Sequence, residues 1–343
     1  MTGVRRFSRR TVCAAALIVS AMTPAPGQRV PSLIPRDDGW TDKASHKAGF
    51  ITVQRGVRIH YLDFGGTGPA LLLVPGIGNT AHAYDDFARG LTDRFHVYAM
   101  TRRGFGESSH PEKGYDIQRL VLDIRTVMDS LRLAQVELVG HSFAGQEMTR
   151  FARAYPSRVH KLVYLDGAFD NVAVDSASQR IFTSAMPYPS KPPLTDDDTA
   201  TYKAYVTYVH SSRGVNIPES DIRVRVKFDG IIEEIGMGYQ GIGREADVER
   251  QQWEKLRHAA LAVFAVRDSF AQSEPWVTAD TTARADVQAY LDKAAAVVRF
   301  AASDFERAPR GESLLVHGGH HWVFVSHREQ VLKAVREFLL RPS

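Results

Sequence analysis

The stretch VELVGHSFAGQEM, Val136–Met148, decides the fold. It opens as an apolar, strand-like run ending at Gly140 and continues as a helix-like segment from about Ala144. One serine, Ser142, stands at the join. So tight a corner between strand and helix demands small neighbours, and it holds the central side chain proud of the sheet at a helix N-terminus. The spacing is G-x-S-x-A, with Gly145 one place later. The corner alone fits either an attacking serine or an ordinary turn serine. A serine nucleophile also needs a base and an orienting acid.

Outward from the corner, strands and helices alternate. FITVQRGVRIHYLDFG (50–65) reads as two strands broken at Arg55-Gly56. PALLLVPG (69–76) and VELVG are short, wholly apolar runs, as strands buried on both faces of a parallel sheet should be. AHAYDDFARGL, DIQRLVLDIRTVMDSL and GQEMTRFARAY have helical spacing between them, and HKLVYLDGA (160–168) is a further strand. The pattern lapses after Ala168 for about 90 residues of polar, Pro-rich and Tyr-rich chain. It resumes with HAALAVFAVRD (258–268), a helical stretch, SLLVHGG (313–319) and a closing helix, REQVLKAVREFLL. The expectation is a doubly wound, mostly parallel α/β sheet carrying a mainly helical lid inserted over about 169–257, within a domain spanning 47–343.

Two strand ends downstream supply the missing partners. Asp268 follows one apolar strand; His320 and His321 follow the last. Parallel strands end on one edge of the sheet, where such folds bind ligands, so the three groups can converge there. Asp166 and Asp170, after the preceding strand, are alternative acids, although turn and cap contacts are the preferred reading of both. His320 is the alternative base.

VPGIGN (74–79), TRRGFGES (101–108), LVGHSFAG (138–145), LVYLDGA (162–168), VRD (266–268) and GGHHWVF (318–324) together resemble the α/β-hydrolase fold superfamily, in its serine-hydrolase branch with a cap after the sixth strand. The resemblance runs from about Phe50 to Leu340. It implies Ser142 as nucleophile, Asp268 as acid and His321, directly before WVF, as base. It implies an oxyanion hole from the backbone N–H groups of Phe143 and Ile77, although Pro75-Gly76 stands where His-Gly is commoner. Arg102 and Arg103 are expected to make structural hydrogen bonds. The implied activity is hydrolysis of a carboxylic ester with a small or medium acyl group. Aminopeptidase, C–C bond hydrolase, cofactor-free perhydrolase and non-turnover ligand-binding protein are the alternatives on the same fold. Epoxide hydrolases and haloalkane dehalogenases share the cap but use an aspartate nucleophile, against which Ser142 speaks. Tyr84 and Tyr205 are candidate pocket residues; Tyr188, Tyr202 and Tyr208, with Phe182 and Met186, add aromatic and apolar surface to the insertion.

The N-terminus is of another kind. Arg5, Arg6, Arg9 and Arg10 precede an apolar run from Val12 to Met22, too short to span a bilayer. Residues 1–21 read as an export signal with a resemblance to the twin-arginine type, and 22–46 as a Pro-rich arm. The net charge of +4 resides in those four arginines, leaving 39 basic residues against 39 acidic ones. That balance speaks against a nucleic-acid partner. The single cysteine, Cys13, lies within the signal, so the exported chain has no thiol and relies on its core. The sequence carries no spacing diagnostic of a metal site or a dinucleotide. The expected partner is a small-molecule substrate, with no cofactor and no stable membrane span once the signal is removed; a periplasmic or extracellular location follows.

Overall fold

The computed structural model describes residues 39–181, 193–228, 232–234, 238–247, 249–268 and 281–342. The export signal, most of the Pro-rich arm, and Phe182, Met186 and Tyr188 lie outside them. Strands β1 (Lys47–Gln54) and β2 (Val57–Gly65) form a hairpin around Gly56, whose φ of 76° a residue without Cβ adopts freely. They are followed by β3 (Ala70–Val74), β4 (His96–Met100), β5 (Val136–His141), β6 (Val159–Leu165), the short pair β7 (Val226–Phe228) and β8 (Ile232–Glu234), then β9 (Ala259–Val266) and β10 (Gly311–His317). The main sheet has the order β1-β2-β4-β3-β5-β6-β9-β10. It is antiparallel at β1/β2 and β2/β4 and parallel from β4 onward.

Alternation along the strands divides the core in two. Leu71, Leu73, Val139, Val163 and Val263 face one side, where they pack on Phe87 of helix α1 (Asp85–Arg89) and on Val331, Val335 and Phe338 of α11 (Arg328–Leu340). Leu72, Val74, Leu138, Leu162 and Phe264 face the other. There they meet α2 (Ile117–Ser130), α3 (Ala144–Ala154) and α9 (Thr281–Phe305). The apolar stripe of α2, at Val121, Ile124, Val127 and Met128, is buried, and the Asp116 carboxylate caps the helix by accepting from Arg119 N at 2.9 Å.

Between β6 and β9 lie α4 (Asn171–Ile181), α5 (Asp196–Thr199), α6 (Tyr202–Arg213), α7 (Glu219–Arg225) and α8 (Gly238–Glu245), interrupted by the β7/β8 pair. Tyr202, Tyr205, Val206 and Val209 of α6 and Ile222 of α7 join the same apolar cluster as Phe87 and Phe324. A last short helix, α10 (Val323–Ser326), precedes α11. The chain leaves β3 toward β4 on one side and returns to β5 on the other. The order therefore reverses at β3/β5, and a crevice opens beyond the carboxyl ends of those strands.

Candidate active site

Ser142 sits in that crevice. Its φ is +56°, a left-handed conformation that costs a non-glycine residue of order 1–3 kcal/mol and persists only where the surroundings impose it. The imposing contacts are Ser142 N to Leu165 O at 3.1 Å and Gly145 N to Ser142 O at 2.9 Å. Gly145 is required because a Cβ there would lie 1.8 Å from Gly167 O, so the first turn of α3 rests on the backbone just beyond Asp166. Serine and that aspartate are thereby drawn together. Ser142 and Phe143 remain half-buried in a neighbourhood otherwise closed to solvent.

His321 Nε2 is 3.0 Å from Ser142 Oγ, and His321 Nδ1 is 2.7 Å from Asp166 Oδ2. Asp166 also accepts from Ala265 N at 2.9 Å through Oδ1, while its own N–H donates to Val263 O at 2.7 Å. Its position on the adjacent strand is fixed on both sides. Both members of the His321–Asp166 pair are buried.

The expectation that Asp268 orients His321 is corrected by this geometry. Asp268 Oδ2 lies 2.7 Å from His317 Nδ1, and Oδ1 accepts from Gly318 N at 2.8 Å. Register explains the difference. Leu165, the end of β6, pairs with Val263, so Asp166 lies level with Phe264. Asp268 comes four residues after Phe264, two residues beyond the end of β9. It meets the end of β10, where Val266 pairs with His317. Asp170, the other alternative, accepts from Ala173 N at 3.1 Å, Arg250 Nε at 2.8 Å and Gln251 N at 3.0 Å, a helix cap and an ion pair.

His321, not His320, faces the serine. The His320 ring stacks on Trp322 with centroids 5.3 Å apart, and its Nδ1 accepts from Trp322 N at 3.3 Å. Burial, reinforced by Arg267, holds His320 well below the ordinary imidazole range. His141, which the sequence did not single out, lies against His321 with ring centroids 4.6 Å apart and donates from Nε2 to His321 O at 2.9 Å. Burial, with His321 beside it, likewise keeps His141 neutral.

The loop after β3 completes the crevice. A Cβ on Gly76 would stand 3.0 Å from Ser142 Cβ, so the loop backbone runs against the nucleophile position. Among the described residues, neither Ile77 N nor Phe143 N donates in the backbone hydrogen bonds outside helices and strands, and no side chain caps α3 at Phe143. Both N–H groups therefore remain for a ligand. Two buried clamps hold the loop. Arg102 donates to Pro75 O at 2.7 Å and Gly76 O at 3.2 Å, and its Nε meets Glu147 Oε1 of α3 at 2.6 Å. Asp221 of α7 accepts from Asn79 Nδ2 at 2.8 Å, Thr80 N at 2.7 Å and Thr80 Oγ1 at 2.8 Å, while Arg225 donates to Gly78 O at 2.6 Å. Asn79 Oδ1 in turn accepts from Trp322 Nε1 at 3.0 Å, tying the loop to the residue after His321. Arg103 pairs with buried Asp123 at 2.6 Å, the structural role expected of it.

Tyr84 and Tyr205 are not brought to the crevice. Tyr84 is fully buried, donates to Val74 O at 2.8 Å and packs on Phe324. Tyr205 is buried in the same apolar cluster, with its ring stacked along Tyr208. Helical spacing of aromatics here marks packing.

A model of the α/β-hydrolase fold matches residues 69–212, a span that contains both the Ser142 corner and the loop after β3. The chain has the α/β-hydrolase fold. It is similar to 2-(acetamidomethylene)succinate hydrolase of Mesorhizobium japonicum, 28% identical over 164 residues, covering 47% of this chain and 55% of the relative. N-formylmaleamate deformylase of Pseudomonas putida is 32% identical over 142 residues, covering 41% and 51%. Bifunctional epoxide hydrolase 2 of Mus musculus is 30% identical over 139 residues, covering 40% and 25%. The match thus spans about half the length of the first two relatives and a quarter of the third. Among solved structures, E-2-(acetamidomethylene)succinate hydrolase superposes with a TM-score of 0.60 at 20% identity, over 86% of this chain and 99% of that chain. No helix among the described residues is long and apolar enough to cross a membrane.

Proposed function

We propose that this protein is a serine acyl hydrolase whose triad is Ser142, His321 and Asp166. The observation that carries the reading is the continuous chain from Ser142 Oγ through both nitrogens of His321 to a buried carboxylate, at 3.0 and 2.7 Å. His321 Nε2 takes the serine proton as Oγ attacks the carbonyl carbon, and then delivers it to the leaving group. Asp166 holds the proton on Nδ1, which leaves Nε2 as the acceptor, and stabilises the imidazolium that forms. The N–H groups of Ile77 and Phe143 receive the oxyanion. Water, activated by the same imidazole, then releases the acyl group from Ser142.

A carboxylic ester of a small or medium acyl group is the proposed substrate, since an activated serine attacks such a carbonyl with a good leaving group. The two relatives named for hydrolysing an acetamidomethylene compound and for deformylation favour an N-acyl bond as the second reading. The helical insertion is proposed to act as a lid over the crevice, and residues 1–21 to direct export. Export is checked by finding the chain, shortened at its N-terminus, in the periplasmic or medium fraction.

Intact mass after treatment with a fluorophosphonate tests the mechanism. A single adduct, missing in Ser142→Ala, is the expected result, and an unlabelled folded protein would sink it. Parallel panels of p-nitrophenyl esters of graded length and of N-acyl amides then decide between the two substrate classes by kcat/KM.

A further inference from the structure

We infer that Asp42, His46, His82 and Asp85 form a binding site for one divalent cation of the zinc type. The site fastens the segment before β1 to the start of α1 and the turn before it. One donor atom from each of the four residues lies within 4.8 Å of all the others. His46 Nε2 is 3.1 Å from Asp42 Oδ2; His82 Nδ1 is 3.4 Å from the same oxygen and 3.2 Å from Asp85 Oδ2. Tetrahedral zinc with bonds of 2.0–2.1 Å places its donors about 3.3 Å apart, so these three separations are already those of a tetrahedron's edges.

Charge and chemistry point the same way. Two carboxylates balance the charge of a divalent ion, and two imidazole nitrogen donors disfavour calcium or magnesium, which take oxygen. Asp85 Oδ1 and His46 Nδ1 are buried and make no hydrogen bond, and Asp85 is only 4% exposed. An under-satisfied carboxylate this deep calls for a cation. The surrounding groups orient the donors. Ala44 N donates to Asp42 Oδ1 at 2.8 Å, which leaves Oδ2 for the histidines, and Ser220 Oγ of α7 donates to Asp85 Oδ2. His60 stacks on His82 with centroids 5.9 Å apart and reaches Glu107 at 3.2 Å, an outer layer around His82. The donors come as two Asp/His pairs about 40 residues apart, Asp42 with His46 and His82 with Asp85, without the Cys or His–His pattern that announces a zinc site in sequence, so the expectation of no metal is the one this inference revises.

The site is independent of the triad, so it can be tested apart from turnover. Chelator-stripped protein is titrated with Zn²⁺ against a chromophoric zinc indicator, and with Co²⁺ for the intense visible bands of a tetrahedral site. One equivalent is expected to bind, with Tm rising by about 2 °C or more in excess zinc. Ser142→Ala should bind equally well. Asp85→Asn and His46→Gln should each weaken binding at least about tenfold; His46 is in the segment before the sheet, so its variant keeps the fold, checked by circular dichroism. Absence of stoichiometric binding would overturn the inference, leaving an imidazolium–carboxylate network instead. Binding that both variants leave unchanged would overturn it equally.

Discussion

Replacement of a single carboxylate separates the two aspartates at the strand ends. Asp166→Asn keeps a side chain of the same shape beside His321 but presents an amide where the imidazole N–H needs an acceptor, which favours the wrong tautomer. In a serine triad that change costs about 10⁴-fold in kcat. Asp268 contacts His317 at the surface, with 42% of its side chain exposed, and such pairs contribute about 0–1 kcal/mol. Asp268→Asn is therefore expected to stay within a few-fold of the parent. Steady-state kinetics of the two variants on one ester decide the matter; a collapse in Asp268→Asn with an active Asp166→Asn would reverse the assignment. Ser142 and His321 could be brought to one sheet edge from the sequence because they follow the ends of two strands, by one residue after His141 and by four after His317. The sequence put Asp268 ahead of Asp166, because the choice depends on strand register, which local composition does not encode. One legible signal was LDG at the end of β6: a glycine directly after the acid marks close backbone approach, and a Cβ on Gly167 would stand 2.7 Å from Ser142 O.

At the scale of elements, the loop of residues 75–80 has little structure of its own and is shaped by what grips it. Arg102 supplies a planar fork to two of its carbonyls and to Glu147 at once, and the Asp221 carboxylate gathers Asn79 and Thr80. Asp221 is fully buried and 3.2 Å from Arg225 Nε. Asp221→Asn removes the carboxylate charge beside that buried guanidinium and weakens its hydrogen bonds to Asn79 and Thr80, at a cost of about 2–4 kcal/mol in urea unfolding. The same loop bears Ile77 N–H, so kcat should also fall, by about tenfold, with KM less affected, if α7 aims the oxyanion donor. Unchanged kinetics in a destabilised Asp221→Asn would show that the clamp serves stability alone. The alternating elements of the sheet were readable from their periods of two and 3.6. These clamps were not, because Asn79 and Asp221 are 142 residues apart and nothing local marks either as a partner of the other. For the same reason Tyr84 and Tyr205 read as pocket residues: an aromatic stripe looks alike whether it faces a cleft or a core.

For the molecule as a whole, the buried imidazoles set the response to acid. His141 and His320 are held well below the usual 6.5, chiefly by burial, so both are neutral in the folded state. In the unfolded chain each titrates near 6.5, so below that pH the unfolded state binds more protons than the folded one. Stability contributed by neutral burial is then complete above about pH 6.5 and is lost as pH falls, at up to ~1.4 kcal/mol per pH unit for each group. Replacing one of them with a residue that does not titrate removes its share. His320→Gln keeps a polar side chain beside Trp322 N, while Ser142 and His321 stay in place. Its unfolding free energy, measured in urea between pH 7.5 and 5, should fall less steeply on the acid side than the parent's, by about 1 kcal/mol per unit. The two curves should run parallel above pH 7, offset only by the packing cost of the substitution. Parallel curves throughout would mean that His320 takes up its proton in the folded protein as readily as in the unfolded chain. That would contradict its burial against Trp322.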